Sequence, residues 1–143
     1  MTDRSSRSDY PHIGPLQTRW ADNDIYGHIN NVAYYGFFDT IVNDYLIAKK
    51  ALGIHDGETI GLVVESGCRY HAPASYPDRL DGALRVASIG NSSVRYELAI
   101  FKEAEDLALV EGHFVHVYVD RATRKPQSLP SDMRSALDYI KAG

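Results

Sequence analysis

What the sequence lacks narrows it first. Its 143 residues hold a single cysteine, Cys68, so no internal disulfide can form, which suits a reducing compartment. No stretch approaches the roughly 20 consecutive apolar residues of a membrane-spanning helix. The opening "MTDRSSRSDYPH" has neither an apolar segment nor a cleavage-site pattern, so no secretory leader is expected and the cytoplasm is the expected location. Positive charge is also scarce. Fifteen Lys and Arg stand against nineteen Asp and Glu, a net charge of −4, so no broad basic field is available to hold a nucleic-acid backbone. There is no internal repeat and no low-complexity tract. What remains is 44% hydrophobic and 24% charged, at a length that suits one domain with a buried core.

Residues 1–11 are polar and read as a flexible arm ahead of a domain spanning 12–143. "IGPLQTRW", residues 13–20, reads as a short first strand. From Asn31 the apolar period becomes helical: Tyr34, Phe38, Ile41 and Tyr45 recur at i, i+4, i+7 and i+11, widened by Phe37, Val42 and Leu46. This predicts a buried helix running to about Leu52 and stopping at Gly53. After Gly61 the period is two. Leu62 to Tyr70 alternates until "APASYPD" breaks it, and strands from Leu84, Val94 and Leu109 follow, separated by "GNSS" and "EAEDL". The tail "SLPSDMRSALDYIKAG" carries a Pro-Ser-Asp helix start and apolar Met133, Leu137 and Ile140. The order strand, long helix, four strands, short helix predicts an α+β fold. Tight turns imply an antiparallel five-stranded sheet, and one long helix at its centre is all that can cover it. Part of the sheet and its edge would stay exposed, which favours self-association.

The stretch "RWADNDIYGHINNVAYYGFFD" carries the chemistry. It resembles the signature of hotdog-fold acyl-CoA thioesterases of the 4-hydroxybenzoyl-CoA thioesterase type, Asp-x-Asp-x-x-Gly-His-x-Asn-x-x-x-Tyr. Asp22, Asp24, Gly27, His28, Asn30 and Tyr34 fall in register with it. The likeness extends through "ESGCRYHAPASYPDRLDGALRVASIGNSSVRYELAIF" and "VHVYVDRATRKPQSLP", from about residue 12 to residue 140. It implies a hotdog fold, a sheet wrapped around a long central helix, and hydrolysis of an acyl-CoA to free acid and CoA. It implies Asp24 as the catalytic carboxylate, with a polarising amide seven residues on, at Asn31. It further implies a homodimer or homotetramer with sites at the subunit interface, and no metal or organic cofactor.

The residues support this on their own chemistry. Thioester hydrolysis needs a donor on the carbonyl oxygen and a carboxylate that attacks or activates water. A helix beginning near Asn30 leaves its first N–H groups unpaired beside a positive partial charge. Whether Asp24 is nucleophile or general base stays open. Taken alone, Asp24 is also good Asx-turn chemistry, and Asp22 reads as structural. His28 reads as a loop residue that positions its neighbours, with a catalytic role as the alternative. Asn30 reads as the N-cap and as a candidate substrate contact. Gly27 supplies a positive φ. Tyr34 is the aromatic picked to line an acyl channel. Glu65 is a candidate second carboxylate, although its strand face also carries Arg69 and His71. Arg69, Ser92 and Ser93 are candidates for the CoA phosphates, and Cys68 reads as a small core hydrophobe. CoA is the expected carrier; Arg69, Arg79, Arg85 and Arg95 are the basic groups a carrier protein would want.

Two rival functions differ in kind. A hotdog hydratase is usually marked by Asp-x-Asn-Pro-x-His, with Asp and His five apart. Here Asp24 and His28 are four apart with no proline between them, which argues against hydration. A non-catalytic acyl-thioester scaffold would bind without turnover.

Overall fold

The computed structural model describes residues 4–51 and 57–142. β1 (His12–Leu16) leads through a short 3-10 turn (Trp20–Asp22) into the helix α1 (Asn31–Ala48). β2 (Thr59–Tyr70), β3 (Leu80–Ile89), β4 (Ser93–Lys102), β5 (Val110–Asp120) and the helix α2 (Ser131–Tyr139) complete the chain. The strands form one antiparallel sheet in the order β1-β3-β4-β5-β2, so β1 and β2 are its edges. The sheet curls around α1 in the hotdog arrangement.

α1 is helical because its apolar positions fall on one broad stripe, and it is central because that stripe is wide. Tyr34, Phe37, Phe38, Ile41, Val42, Tyr45 and Leu46 are all buried, against Leu84, Val86, Tyr96, Leu98, Ile100 and Phe114 of the sheet. Burying a side chain of this size contributes about 1.5–3 kcal/mol. Two glycines let the helix lie close. A Cβ at Gly82 would overlap Ile41, and one at Gly112 would overlap the Phe38 ring. α1 ends at Ala48, earlier than the sequence reading, with Lys50 beyond it at φ 54. The expected end at Leu52 and stop at Gly53 lie outside the described residues.

Other expectations shift for local reasons. The first strand stops at Leu16. The buried Thr18 then donates to the Asp78 carbonyl at 3.0 Å, and Trp20 turns outward, 75% exposed. β2 does not keep one alternation, because Val63 faces His116 and Glu65 faces Val115, leaving Val64 in a bulge. Gly61 and Val63 therefore face the helix in the first half, and Ser66, Cys68 and Tyr70 in the second. Glu65 and Arg69 point to the outer face. Residues 4–11 are docked, not loose. The Arg4 side chain donates to the Ala108 carbonyl (2.8 Å), Arg7 pairs with Asp81 (3.0 Å), and buried Tyr10 packs on Phe101. The polar composition missed this because the arm's arginines are anchored to the sheet and not to water. At the other end, Val86 donates to the Ile140 carbonyl and accepts from Ala142, so the tail covers the part of β3 that short β1 leaves open.

Candidate active site

The loop between Trp20 and Asn31 is built from its own polar groups. Asp22, buried, binds Arg19 through both oxygens: Oδ2 accepts from the backbone N–H and Oδ1 from the guanidinium, each at 2.8 Å. The Asp22 carbonyl accepts from the Asn30 N–H at 2.8 Å, which sets where the helix starts. Asp22 is thus a structural anchor. Gly27 adopts φ +78, the left-handed conformation that a side chain resists, and its N–H closes a turn onto the Asp24 carbonyl at 3.0 Å. The Ser75 hydroxyl holds the Gly27 carbonyl at 2.6 Å, and Asn23 Oδ1 accepts from the Tyr76 N–H at 2.9 Å. Both ties fasten the loop to the segment after β2.

Asp24 sits in this frame with its two oxygens unlike one another. Oδ1 accepts from the Tyr26 N–H at 2.9 Å and, more weakly, from the His28 N–H at 3.4 Å. Oδ2 has no protein partner among the described residues. One oxygen fixes the rotamer; the other is available.

Asn30 caps α1 with φ −62 and ψ 139, its Oδ1 accepting from the Val32 N–H at 2.9 Å. The Asn31 N–H, the first of the helix proper, has no acceptor among the described residues. It is one of the orphan donors every helix start leaves, on the electropositive end of an 18-residue helix.

Asp24, His28, Asn31 and Tyr34 line one open cavity of about 380 Å³, together with Tyr70 and His71. Tyr34 is its buried floor, in edge contact with Phe37 and Tyr70, and burial pushes its hydroxyl up to about 12, so it stays neutral. Ile29, Ala72 and Pro73 add apolar surface to its lining. A carboxylate with one untethered oxygen and an unpaired helix-start amide, on residues that line one cavity, are the groups that can attack and polarise an electrophilic carbonyl.

The other sequence candidates are elsewhere in the chain. Asn30 lines a separate groove on the far side of α1, with Asp22 and Val32. Glu65 is on the outer sheet face, bound to His113 (2.8 Å) and Arg95 (3.6 Å), and Arg69 is on that face too. Ser92 and Ser93 form the β3–β4 turn, where their carbonyls accept from Tyr118 and Gly90. Sequence reasoning missed Tyr70 and His71. The Tyr70 hydroxyl donates to the Asn31 carbonyl at 3.3 Å, and His71 pairs with Glu111 at 2.7 Å. Nothing local marks them; only the return of β2 to the start of α1 brings them to the site. Among the described residues no group of three or more His, Cys, Asp or Glu could hold a metal ion, and no helix is long and apolar enough to cross a membrane.

Comparison with known proteins gives a consistent picture. The model of the thioesterase-like superfamily matches residues 18–137. Curated proteins give no match. The PA5185 protein from Pseudomonas aeruginosa is 52% identical over 98% of each chain, with a TM-score of 0.96. A 1,4-dihydroxy-2-naphthoyl-CoA thioesterase from Synechocystis, 19% identical, shares the fold over 88% of this chain and 94% of its own, with a TM-score of 0.80. A gentisyl-coenzyme A thioesterase, also 19% identical, does so over 88% and 99%, with a TM-score of 0.78.

Proposed function

The chain belongs to the thioesterase-like superfamily, and from that premise we propose that it hydrolyses an acyl-CoA thioester, with Asp24 as the reacting carboxylate and the Asn31 N–H polarising the carbonyl. The observation that carries this reading is the pairing in one cavity of a half-tethered carboxylate with an unpaired helix-start amide.

The thioester carbonyl oxygen accepts from the Asn31 N–H, where the helix end stabilises the developing negative charge. Asp24 Oδ2 then works in one of two ways. It attacks the carbonyl carbon, the C–S bond breaks, CoA leaves as thiolate, and water hydrolyses the mixed anhydride. Alternatively it takes a proton from a water that attacks directly. Either route ends in free acid, CoA and regenerated carboxylate. His28 lines the same cavity and holds the Asp24 N–H through its carbonyl at 2.8 Å, a positioning role.

The functional unit we propose is a dimer or a pair of dimers. β2 is an edge strand, and Leu62, Val63 and Val64 on it are 37%, 50% and 60% exposed. An apolar edge of this kind is a template for pairing with a second copy. In such a dimer, Arg69, Ser92 and Ser93 would serve CoA only if the second copy brought them to the cavity. Nothing among the described residues of the single chain does.

The test is thiol release, followed with a chromogenic reagent, over a panel of straight-chain, branched and aromatic acyl-CoAs. Turnover of at least one member supports hydrolysis and identifies the acyl class. Saturable binding across the panel without thiol release would make the protein an acyl-thioester scaffold.

A further inference from the structure

Tyr70 lines the Asp24 cavity from the end of β2 and touches the helix at the residue on which the hydrolysis depends. Its hydroxyl donates to the Asn31 carbonyl at 3.3 Å, and its ring makes an edge contact with Tyr34, centroids 5.7 Å apart. The proposed reaction uses the Asn31 N–H and gives Tyr70 no part.

The backbone on either side of Asn31 is fully engaged. The Ile29 N–H donates to the Ala74 carbonyl and the Asn30 N–H to the Asp22 carbonyl, each at 2.8 Å. Asn30 Oδ1 accepts from the Val32 N–H and the Asn30 carbonyl from the Ala33 N–H, each at 2.9 Å. Across residues 29–33, Asn31 alone keeps a backbone N–H without an acceptor among the described residues. An open donor serves catalysis only if it is aimed. Hydrogen bonds weaken steeply as their angle closes, and misplacement by about 1 Å can cost about a hundredfold in rate. The open amide has no bond of its own to hold it in place.

Its flanks supply the hold. The peptide that carries this N–H joins Asn30 to Asn31. On the Asn30 side it is tied to Asp22, and on the Asn31 side it is tied to Tyr70. A helical carbonyl takes the N–H four residues on, which leaves a second lone pair for a side-chain hydroxyl. Tyr70 is the one side chain bonded to the Asn31 backbone among the described residues. It reaches there across 39 positions of chain, so the bond fastens the start of the helix to an edge strand of the sheet. A phenol is a neutral donor throughout the physiological pH range.

We propose that Tyr70 is a positioning residue for the hydrolysis: its hydroxyl clamps Asn31 so that the neighbouring N–H stays aimed at the thioester carbonyl oxygen. This rests on the acyl-thioesterase reading and adds to it a residue that acts through the amide.

Tyr70→Phe tests the clamp, because it keeps the ring on Tyr34 and removes only the hydroxyl. On the best acyl-CoA it should lower kcat by about three- to tenfold, the scale of one hydrogen bond, with KM within about twofold of wild type. In an Asn31→Pro background the hydroxyl has no amide left to aim. There, adding Tyr70→Phe should change kcat by less than about twofold. The backbone ¹⁵N order parameter of Asn31 gives a readout without substrate. It should be near about 0.85 in the wild type, the rigid-backbone level, and lower in Tyr70→Phe, with Phe38 and Val42 unchanged. A Tyr70→Phe kcat within threefold of wild type, or the same loss in both backgrounds, overturns the proposal. If no acyl-CoA is turned over, the hydrolase reading fails separately, and the order parameter alone decides the clamp. A drop at Asn31 in Tyr70→Phe supports it; no drop, or an Asn31 already mobile in the wild type, overturns it.

Discussion

Replacing Asp24 with Asn separates chemistry from folding, because the structure assigns the two carboxylate oxygens different work. Oδ1 holds the loop through the Tyr26 N–H at 2.9 Å and the His28 N–H at 3.4 Å. An amide oxygen accepts the same bonds, so the turn stays closed, and the expected change in stability is within about 0.5 kcal/mol. Oδ2 becomes an NH₂ group, which can neither attack a carbonyl nor take a proton from water. Losing a positioned acid–base group costs about 10²- to 10⁴-fold, or roughly 2.7–5.4 kcal/mol of transition-state stabilisation. Asp24→Ala should lose activity equally and also weaken the turn, by about 1 kcal/mol. Thiol-release kinetics on the best acyl-CoA, with thermal melts of all three proteins, measure both quantities. If Asp24→Asn keeps more than about a tenth of wild-type kcat, or loses rate only in step with its melting temperature, the carboxylate is not the reacting group.

Three further outcomes follow from the same geometry. Asn31→Pro deletes the proposed polarising N–H at the one helical position where proline is tolerated, and Asn30 already has the extended backbone that proline requires of its predecessor. It should fold normally by circular dichroism and lose about 10²- to 10³-fold in kcat, while Asn31→Ala stays within about threefold because its amide remains. His28→Ala should be mild, less than about tenfold in kcat/KM, since the structure uses its backbone; a loss matching that of Asp24→Asn would make it the base. The His116 imidazole titrates at about 4 in the fold, against 6.5 for an ordinary histidine, because burial disfavours its charged form. The unfolded chain therefore binds the extra proton between those values. The associated stability is complete above pH 6.5 and is lost as pH falls toward 4, by about 3 kcal/mol. Urea melts from pH 4 to 7 should show that slope in the wild type and a shallower one in His116→Phe.

Much of the architecture was legible because periodicity reports burial. The stripe from Tyr34 to Tyr45 placed the central helix, and alternation placed four of the strands. What a period of two cannot show is where it slips. The bulge at Val64 reverses β2 in mid-strand, which sends Glu65 to the outer face beside His113 and Arg95. The candidate site was legible where it is local: Asp24, His28 and Asn31 lie within eight consecutive residues and meet in one cavity. Tyr70 and His71 come from the end of a strand far along the chain, and only tertiary structure reveals what they face. The arm was misread because an arginine looks the same in sequence whether it meets water or, as Arg4 and Arg7 do, carbonyls and Asp81.

That docked arm has a consequence of its own. Beneath Tyr10, the back of the sheet presents Ala83, Ala99, Phe101 and Ala108, a small greasy strip separate from the core around α1. Residues 4–11 work as a sleeve over it, tightened by Arg7 stacked on the Phe101 ring and Arg85 on the Tyr10 ring. Trimming the sleeve would leave the inner packing around the long helix intact and bare a new sticky face. Such a shortened protein should become clump-prone before it becomes heat-sensitive.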